Sequence, residues 1–384
     1  MLVLLAMAIV ACRKFDALAN PQFWAEDGAE FFIQADLSGW RSLFMPYAGY
    51  YHLVPRLIAL ASAGLPAAWV PAIYSYVSWA AIGLLVVHTC SARLALPAKP
   101  WLALAAVLVA HNNEVFLCLA NLQWPLALVL IQVLCFEEPV TTGQRVRDGM
   151  TVVLLGLTGP FVIFFLPLFA LRAWRRRTYF SWALAGTAAL AATIQLCSLA
   201  AQAPTGEPGG LPGVFFPLWL AVRSIDGAFL GLRLSAQLSP SLAIAAAAVL
   251  LAGLGALLRL DRAHRSTQWM FGLALTLLLA AVAFKFRHQP TQLSGFENGE
   301  RYFYVPRVLL LWLAALATIA PGWRGRAAQA FLAAGLLAGL ARFISPALPD
   351  LDWPAQARQL DQGGPTLLRL NPGPMELRHW RHRR

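Results

Sequence analysis

The stretch SLAIAAAAVLLAGLGALLRL, residues 241–260, carries one charged side chain, Arg259, and no proline. It matches the roughly 20 apolar residues with which an α-helix crosses a bilayer. Similar apolar runs lie at about 67–90, 101–119, 122–136, 151–171, 181–201, 268–284, 306–321 and 327–344, separated by short pieces rich in Arg, Gly and Pro. Of the 384 residues 59% are hydrophobic and 12% charged, with a mean hydropathy of +0.61. A soluble domain carries about 25% charged residues. The pattern predicts an all-α, polytopic membrane protein of about ten or eleven membrane helices.

The net charge of +12 does not indicate nucleic acid. The arginines cluster at the ends of apolar runs, where they meet lipid headgroups and fix orientation. Arg172, Arg175, Arg176 and Arg177 mark one cytoplasmic loop; Arg259, Arg262 and Arg265 mark a second, and Arg324 with Arg326 a third. Alternating outward from these places residues 19–66, the 111–114 turn, the 203–240 and 285–305 loops and the tail 345–384 on the periplasmic side of a bacterial inner membrane. Of the 18 acids, only Glu137, Glu138, Asp148 and Asp261 then fall inside. Arg13, Lys14 and the basic end of the tail, Arg378–Arg384, run against the rule. The domain reading is a transmembrane unit over 1–344 followed by a periplasmic tail.

Met1–Cys12 has no basic residue before it and no small-residue cleavage site after it, so a cleaved signal is not expected. Either this helix continues to about Leu18 with Arg13 and Lys14 snorkelling, or translation starts upstream. The run 151–171 is interrupted by Thr158-Gly159-Pro160, which suits two short helices in a re-entrant hairpin. Cys12, Cys90, Cys118, Cys135 and Cys197 lack the spacing of a disulfide framework or a metal site.

The first outer loop contains Phe23-Trp-Ala-Glu26-Asp27-Gly28-Ala-Glu30. Charged groups beside a membrane helix need water, a cation or a polar ligand. Glu26 and Asp27 suit a general base, or a Mg or Mn ion held on a phosphate; Gly28 permits close backbone approach. A solvated turn capping an interfacial helix is the plainer reading. Pro46-Tyr-Ala-Gly-Tyr-Tyr-His52-Leu-Val-Pro-Arg56 follows, with His52 and Arg56 one helical turn apart. Arg56 suits either a phosphate or a lipid headgroup.

A first outer loop with an acidic pair, on a many-spanning chain, resembles the GT-C glycosyltransferases. The phrases FWAEDG, PYAGYYHLVPR, LTGP and GERYF look like bacterial members of that class. The resemblance implies transfer, with inversion, of a sugar from a polyprenyl-phosphate donor to a cell-envelope glycan or lipid. It implies Asp27, or else Glu26, as the catalytic carboxylate. Arg56, His52, Arg301 and Tyr302 are the candidate donor-phosphate residues, with Glu300 orienting Arg301. Asn113, Glu114, Gln123 and Trp124 suit sugar contacts, because amides bond hydroxyls and an indole stacks on a ring. They also suit helix caps and a polar turn. A transporter or lipid flippase is the rival reading, and a non-catalytic assembly subunit a third.

Overall fold

The computed structural model describes residues 1–201, 215–259, 264–293, 299–341, 343–363, 365–372 and 375–380. Most of the 203–240 loop's Gly/Pro-rich part, the middle of the 285–305 loop, Asp261, Arg262 and Arg381–Arg384 lie outside these. The chain is mostly helical, with 17 α-helices among the described residues. In order they are α1 Leu2–Arg13, α2 Asp16–Ala19, α3 Ile33–Ser38, α4 Leu53–Ser62, α5 Val70–Cys90 and α6 Lys99–Leu108. Then come α7 Gln123–Cys135, α8 Thr142–Gly156, α9 Phe161–Arg176, α10 Tyr179–Ala200, α11 Phe215–Phe229 and α12 Gly231–Gln237. The last are α13 Pro240–Arg259, α14 Arg265–Lys285, α15 Arg301–Ala317, α16 Trp323–Leu340 and α17 Trp353–Asp361. The tail adds an antiparallel hairpin, β1 Pro365–Leu370 with β2 Met375–Trp380, so the fold is not purely α.

Four stretches are long and apolar enough to cross a membrane: Ala67–Cys90, Tyr179–Ala200, Pro240–Leu258 and Arg265–Lys285. Their outward faces carry large apolar side chains, among them Leu190, Leu199, Leu242, Val249 and Trp269. At the centre sit two helices that are apolar all round, the pattern of a fully enclosed helix. In α7 every residue from Gln123 to Leu134 is buried, and in α15 every residue from Tyr302 to Ala317. Around α15 pack α6, α7, α11, α13, α14 and α16.

Several expectations change. The run 101–119 is helical only to Leu108; residues 109–122 are irregular yet mostly buried. Arg13 ends α1 and does not snorkel. Fully buried, it donates through Nη1 to the carbonyls of Val107 (2.7 Å) and Val109 (3.0 Å), and through Nη2 to that of His111 (3.3 Å). It thereby satisfies the orphan carbonyls at the end of α6. Residues 215–237, expected as loop, form α11 and α12; Arg223 and Asp226 lower the hydropathy of α11, although its second half, Val222–Phe229, is buried. The Thr158-Gly159-Pro160 break is real, but it separates two full helices, α8 and α9. Gly159 adopts φ +84°, and its N–H donates to the Tyr51 carbonyl at 2.9 Å. Gln195 braces the junction, donating to the Gly159 carbonyl at 3.0 Å while accepting from the Tyr51 N–H at 2.8 Å.

The contact of α16 with α6 depends on a missing side chain: a Cβ at Gly339 would collide with the Leu108 carbonyl. Gly255 in α13 meets nothing within 4 Å. Gly339→Ala is expected to cost about 1–3 kcal/mol as an overpacked contact. Gly255→Ala is expected to be neutral or stabilising, because alanine is the better helix former by about 1 kcal/mol. Thermal unfolding of both variants in detergent checks the contrast; equal midpoints would show that the α6–α16 approach is loose.

Candidate functional site

The acidic pair lies at the start of a π-helical turn, Asp27–Phe32, a conformation often found at functional sites. Just before it the segment Phe23–Ala25 pairs with Asn371 of the tail: Asn371 N–H donates to the Phe23 carbonyl at 3.1 Å, and Ala25 N–H to that of Asn371 at 2.5 Å. Gly28 admits this tail. A Cβ there would stand 2.7 Å from the Leu370 side chain, so the close approach serves the chain's own hairpin.

The two carboxylates point to different places. Asp27 is buried and accepts the backbone N–H groups of Ala120 (2.7 Å) and Leu119 (3.2 Å). Burial pushes its carboxyl up to about 7, although those two N–H groups and the Lys14 ammonium pull it down. Glu26 is half-buried, accepts the Tyr47 hydroxyl at 3.0 Å and faces a cavity of 430 Å³. Both Asp27 oxygens meet backbone N–H donors, whereas Glu26 faces the cavity. Among the described residues no group of three or more His, Cys, Asp and Glu is poised to hold a metal.

Glu114, Arg301, Tyr302, Phe286 and, from the tail, Pro372 line the same cavity. Glu114 binds both ends of Arg301: its Oε1 accepts the Arg301 backbone N–H, and its Oε2 lies 3.4 Å from Nη1. Burial raises the Glu114 carboxyl, opposed mainly by the Arg301 charge. The Arg301 side chain stays 37% accessible, which leaves donors for a ligand. Tyr302 accepts from Lys285 Nζ at 2.8 Å and is wedged between Trp124 and Phe286, with ring centroids 5.2 and 4.9 Å away. The cavity lining thus combines one guanidinium, Arg301, with two carboxylates, Glu26 and Glu114.

The remaining expected residues take other positions. Glu300 does not orient Arg301; it is fully buried and pairs with Arg223 at 2.6 Å and with Arg307. The Asn113 side chain is spent, accepting from Arg13 and donating to the Phe343 carbonyl and Ser345 Oγ. Gln123 is hydrogen-bonded to the Tyr50 hydroxyl, and Trp124 packs edge-on in the core, so neither lines the cavity. His52 and Arg56 also lie outside it. The His52 ring sits against Tyr50 at 4.8 Å and is held neutral, its pKa pushed down to about 3 by burial. Arg56 stacks 5.1 Å from the Phe31 ring, and its three nitrogens find no hydrogen-bond partner among the described residues. The sequence alone does not point to Tyr47 as the partner of Glu26, nor to Pro372, whose place depends on the folding back of the tail.

No protein-family model, curated protein or solved structure matches this chain.

Asp27 is thus a clamp on the 119–120 backbone. In Asp27→Asn an amide nitrogen must face one of two N–H donors, so stability should fall by about 1–3 kcal/mol. The pH dependence has a sign. A carboxyl raised in the folded state favours folding below its unfolded pKa of 3.8, and that advantage is lost as pH rises towards 7. Wild-type unfolding midpoints should therefore drop between pH 5 and 7.5 more steeply than those of Asp27→Asn. Parallel curves for the two proteins would show that Asp27 does not titrate there.

Proposed function

We propose that this chain is a polytopic inner-membrane glycosyltransferase that moves a sugar from a polyprenyl-phosphate donor to a cell-envelope glycan or lipid. The single observation that carries the reading is the cavity that Glu26 shares with Arg301, Tyr302 and the Glu114 that holds Arg301. The mechanism is a one-step displacement. An acceptor hydroxyl gives its proton to Glu26 as its oxygen bonds to the anomeric carbon. The bond from that carbon to the phosphate oxygen breaks, and the departing phosphate takes the electron pair. Arg301, and Lys285 through Tyr302, stabilise the charge that develops on it. Attack opposite the leaving group inverts the anomeric centre. The base role moves from Asp27 to Glu26 because Asp27 is already engaged by two backbone donors.

The orientation has a structural counterpart. The N-terminal ends of α7 and α9 lie beside the cavity, where Trp124 packs on Phe161 and Tyr302. Their C-terminal ends meet in a second polar cluster, where Glu138 accepts from Arg172 (3.3 Å), Arg176 (3.1 Å) and Ser181 (2.7 Å). If that basic cluster is cytoplasmic, the cavity faces the periplasm. The transporter or flippase reading draws on a different observation, the buried Arg223–Glu300–Arg307 set, since ionisable groups inside helical bundles often mark transport pathways.

Glu26→Gln is expected to lower transfer from a polyprenyl-phosphate sugar about 10²–10⁴-fold without shifting thermal stability. Arg301→Lys should retain more turnover than Arg301→Ala but less than wild type, since a point charge replaces a fork. A folded Glu26→Gln protein that keeps more than about a tenth of its turnover would remove Glu26 as base. Lipid translocation in proteoliposomes without any transfer would favour the flippase. Orientation is read from Gln292→Cys and Arg175→Cys in a variant without native cysteines. An impermeant maleimide on intact spheroplasts should label the first and spare the second; the reverse pattern sinks the periplasmic site.

A further inference from the structure

The Glu26 cavity adjoins a second one at Trp24. This second cavity, of 280 Å³, has Trp24, Glu114 and Pro372 in common with the first and adds Lys14, Asp16 and Asn112. The half-buried indole therefore stands where the two spaces meet. A third cavity, of 730 Å³, shares Asn112, Asn113, Ser345 and Pro346 with the second and extends to Arg233. Spaces of about 300–1,000 Å³ hold small ligands, so the series has room for more than one sugar ring.

Charge of both signs lines the second cavity. Asp16 and Glu114 bring carboxylates, and Lys14 an ammonium. Each is fixed by a contact within the chain: Asp16 accepts the Leu348 N–H at 3.1 Å, Glu114 holds Arg301, and Lys14 donates to the Phe116 carbonyl at 2.9 Å. An ammonium has three N–H donors and a carboxylate about four acceptor sites, so these groups keep bonding capacity for a ligand. An anion in this cavity would meet Asp16 and Glu114, and a cation would meet Lys14. An apolar molecule would strip water from all three without replacing its bonds. A hydroxyl both gives and accepts hydrogen bonds, so a neutral polyol satisfies both signs at once. Trp24 narrows the polyol to a ring. The Lys14 ammonium stands 5.4 Å from the indole centre and helps to hold it. The negative face of an indole attracts the weakly positive C–H groups of a sugar ring. Polar side chains continue into the third cavity with Asn112, Ser345 and Arg233.

We infer that the second cavity is a subsite for a neutral saccharide. One sugar ring lies against Trp24 with its hydroxyls on Lys14, Asp16 and Glu114, while the ring joined to it reaches the first cavity beside Glu26. The ligand is thus a glycan of at least two rings, and Trp24 recognises the inner one. That the ring beside Glu26 is the acceptor rests on the transfer reading above; the saccharide subsite does not. The test uses the purified full chain in phosphatidylcholine nanodiscs, with binding followed by saturation-transfer NMR. The probes are tetrasaccharides of glucose, galactose, mannose, rhamnose, arabinose and N-acetylglucosamine, each beside its monosaccharide. At least one tetrasaccharide should bind about tenfold more tightly than its monosaccharide, the gain from one further well-placed contact. That affinity should fall about tenfold in Trp24→Ala, the usual effect of truncating an aromatic anchor, and less in Trp24→Phe, which keeps a smaller ring. It should be unchanged in Trp182→Ala, on the exposed side of α10. Thermal unfolding checks that each variant is folded; if Trp24→Ala is not, Asp16→Asn takes its place, because it keeps an oxygen for the Leu348 N–H and loses only the charge that the sugar hydroxyls meet. No binding by any of these sugars, equal affinity for tetrasaccharide and monosaccharide, or wild-type affinity in the folded variant overturns the proposal. A protein that binds as expected but transfers no sugar keeps the subsite and loses only the acceptor role. Transfer that is indifferent to Trp24→Ala keeps the transfer reading and removes the subsite.

Discussion

Residues 109–122 are mostly buried without being helical, so their peptide groups must find partners outside any regular ladder. The chain meets this demand with charge of both signs. Arg13 and Lys14 donate to four carbonyls, those of Val107, Val109, His111 and Phe116. Asp27 accepts the N–H groups of Leu119 and Ala120. Cations on carbonyls at one end and an anion on amides at the other fix the segment between them. Glu114 is thereby carried to Arg301, and Asn113 to the segment after α16. Glu26, through the neighbouring Asp27, and Arg301, through Glu114, both lead back to this irregular stretch.

Legibility in the sequence followed the same division. Hydropathy reports burial, and burial implies a helix only where the backbone bonds itself. It therefore marked α5, α10, α13 and α14 well and overran α6, since residues 109–119 are apolar and interior but irregular. It passed over α11 for the converse reason: Arg223 and Asp226 lower the hydropathy of a helix that is nonetheless interior. The site was half legible. Glu26 and Arg301, both singled out in the sequence, line one cavity, whereas Asp27, His52 and Arg56 do not. Which of Glu26 and Asp27 faces the cavity was not readable, because adjacent residues of a helical turn project about 100° apart, and their partners come from residues 47 and 119–120. Nor was the partner of Arg301, which is Glu114 from far along the chain and not the adjacent Glu300.

The Arg223–Glu300–Arg307 set explains where Glu300 went. Two buried guanidiniums flank Phe303, 4.3 and 5.2 Å from its ring centre, with one carboxylate between them. Gly227 leaves the room that Arg307 fills, since a Cβ there would strike the guanidinium. A buried ion pair gives little net stability once desolvation is counted, whereas removing one partner is costly. Its effect here is geometric: it joins α11 to the first turn of α15, and so fixes the point from which Arg301 projects.

The hairpin after α17 has a consequence for biosynthesis. Leu370 seated on Gly28, and Asn371 paired with Phe23–Ala25, join a segment made early to one made after every helix of the bundle. The helices can pack as they leave the ribosome, but the wall that Pro372 contributes arrives only when that part of the tail has been translated. A nascent chain would thus hold an assembled bundle with an open-sided cavity until the hairpin folds back onto the segment that precedes Glu26.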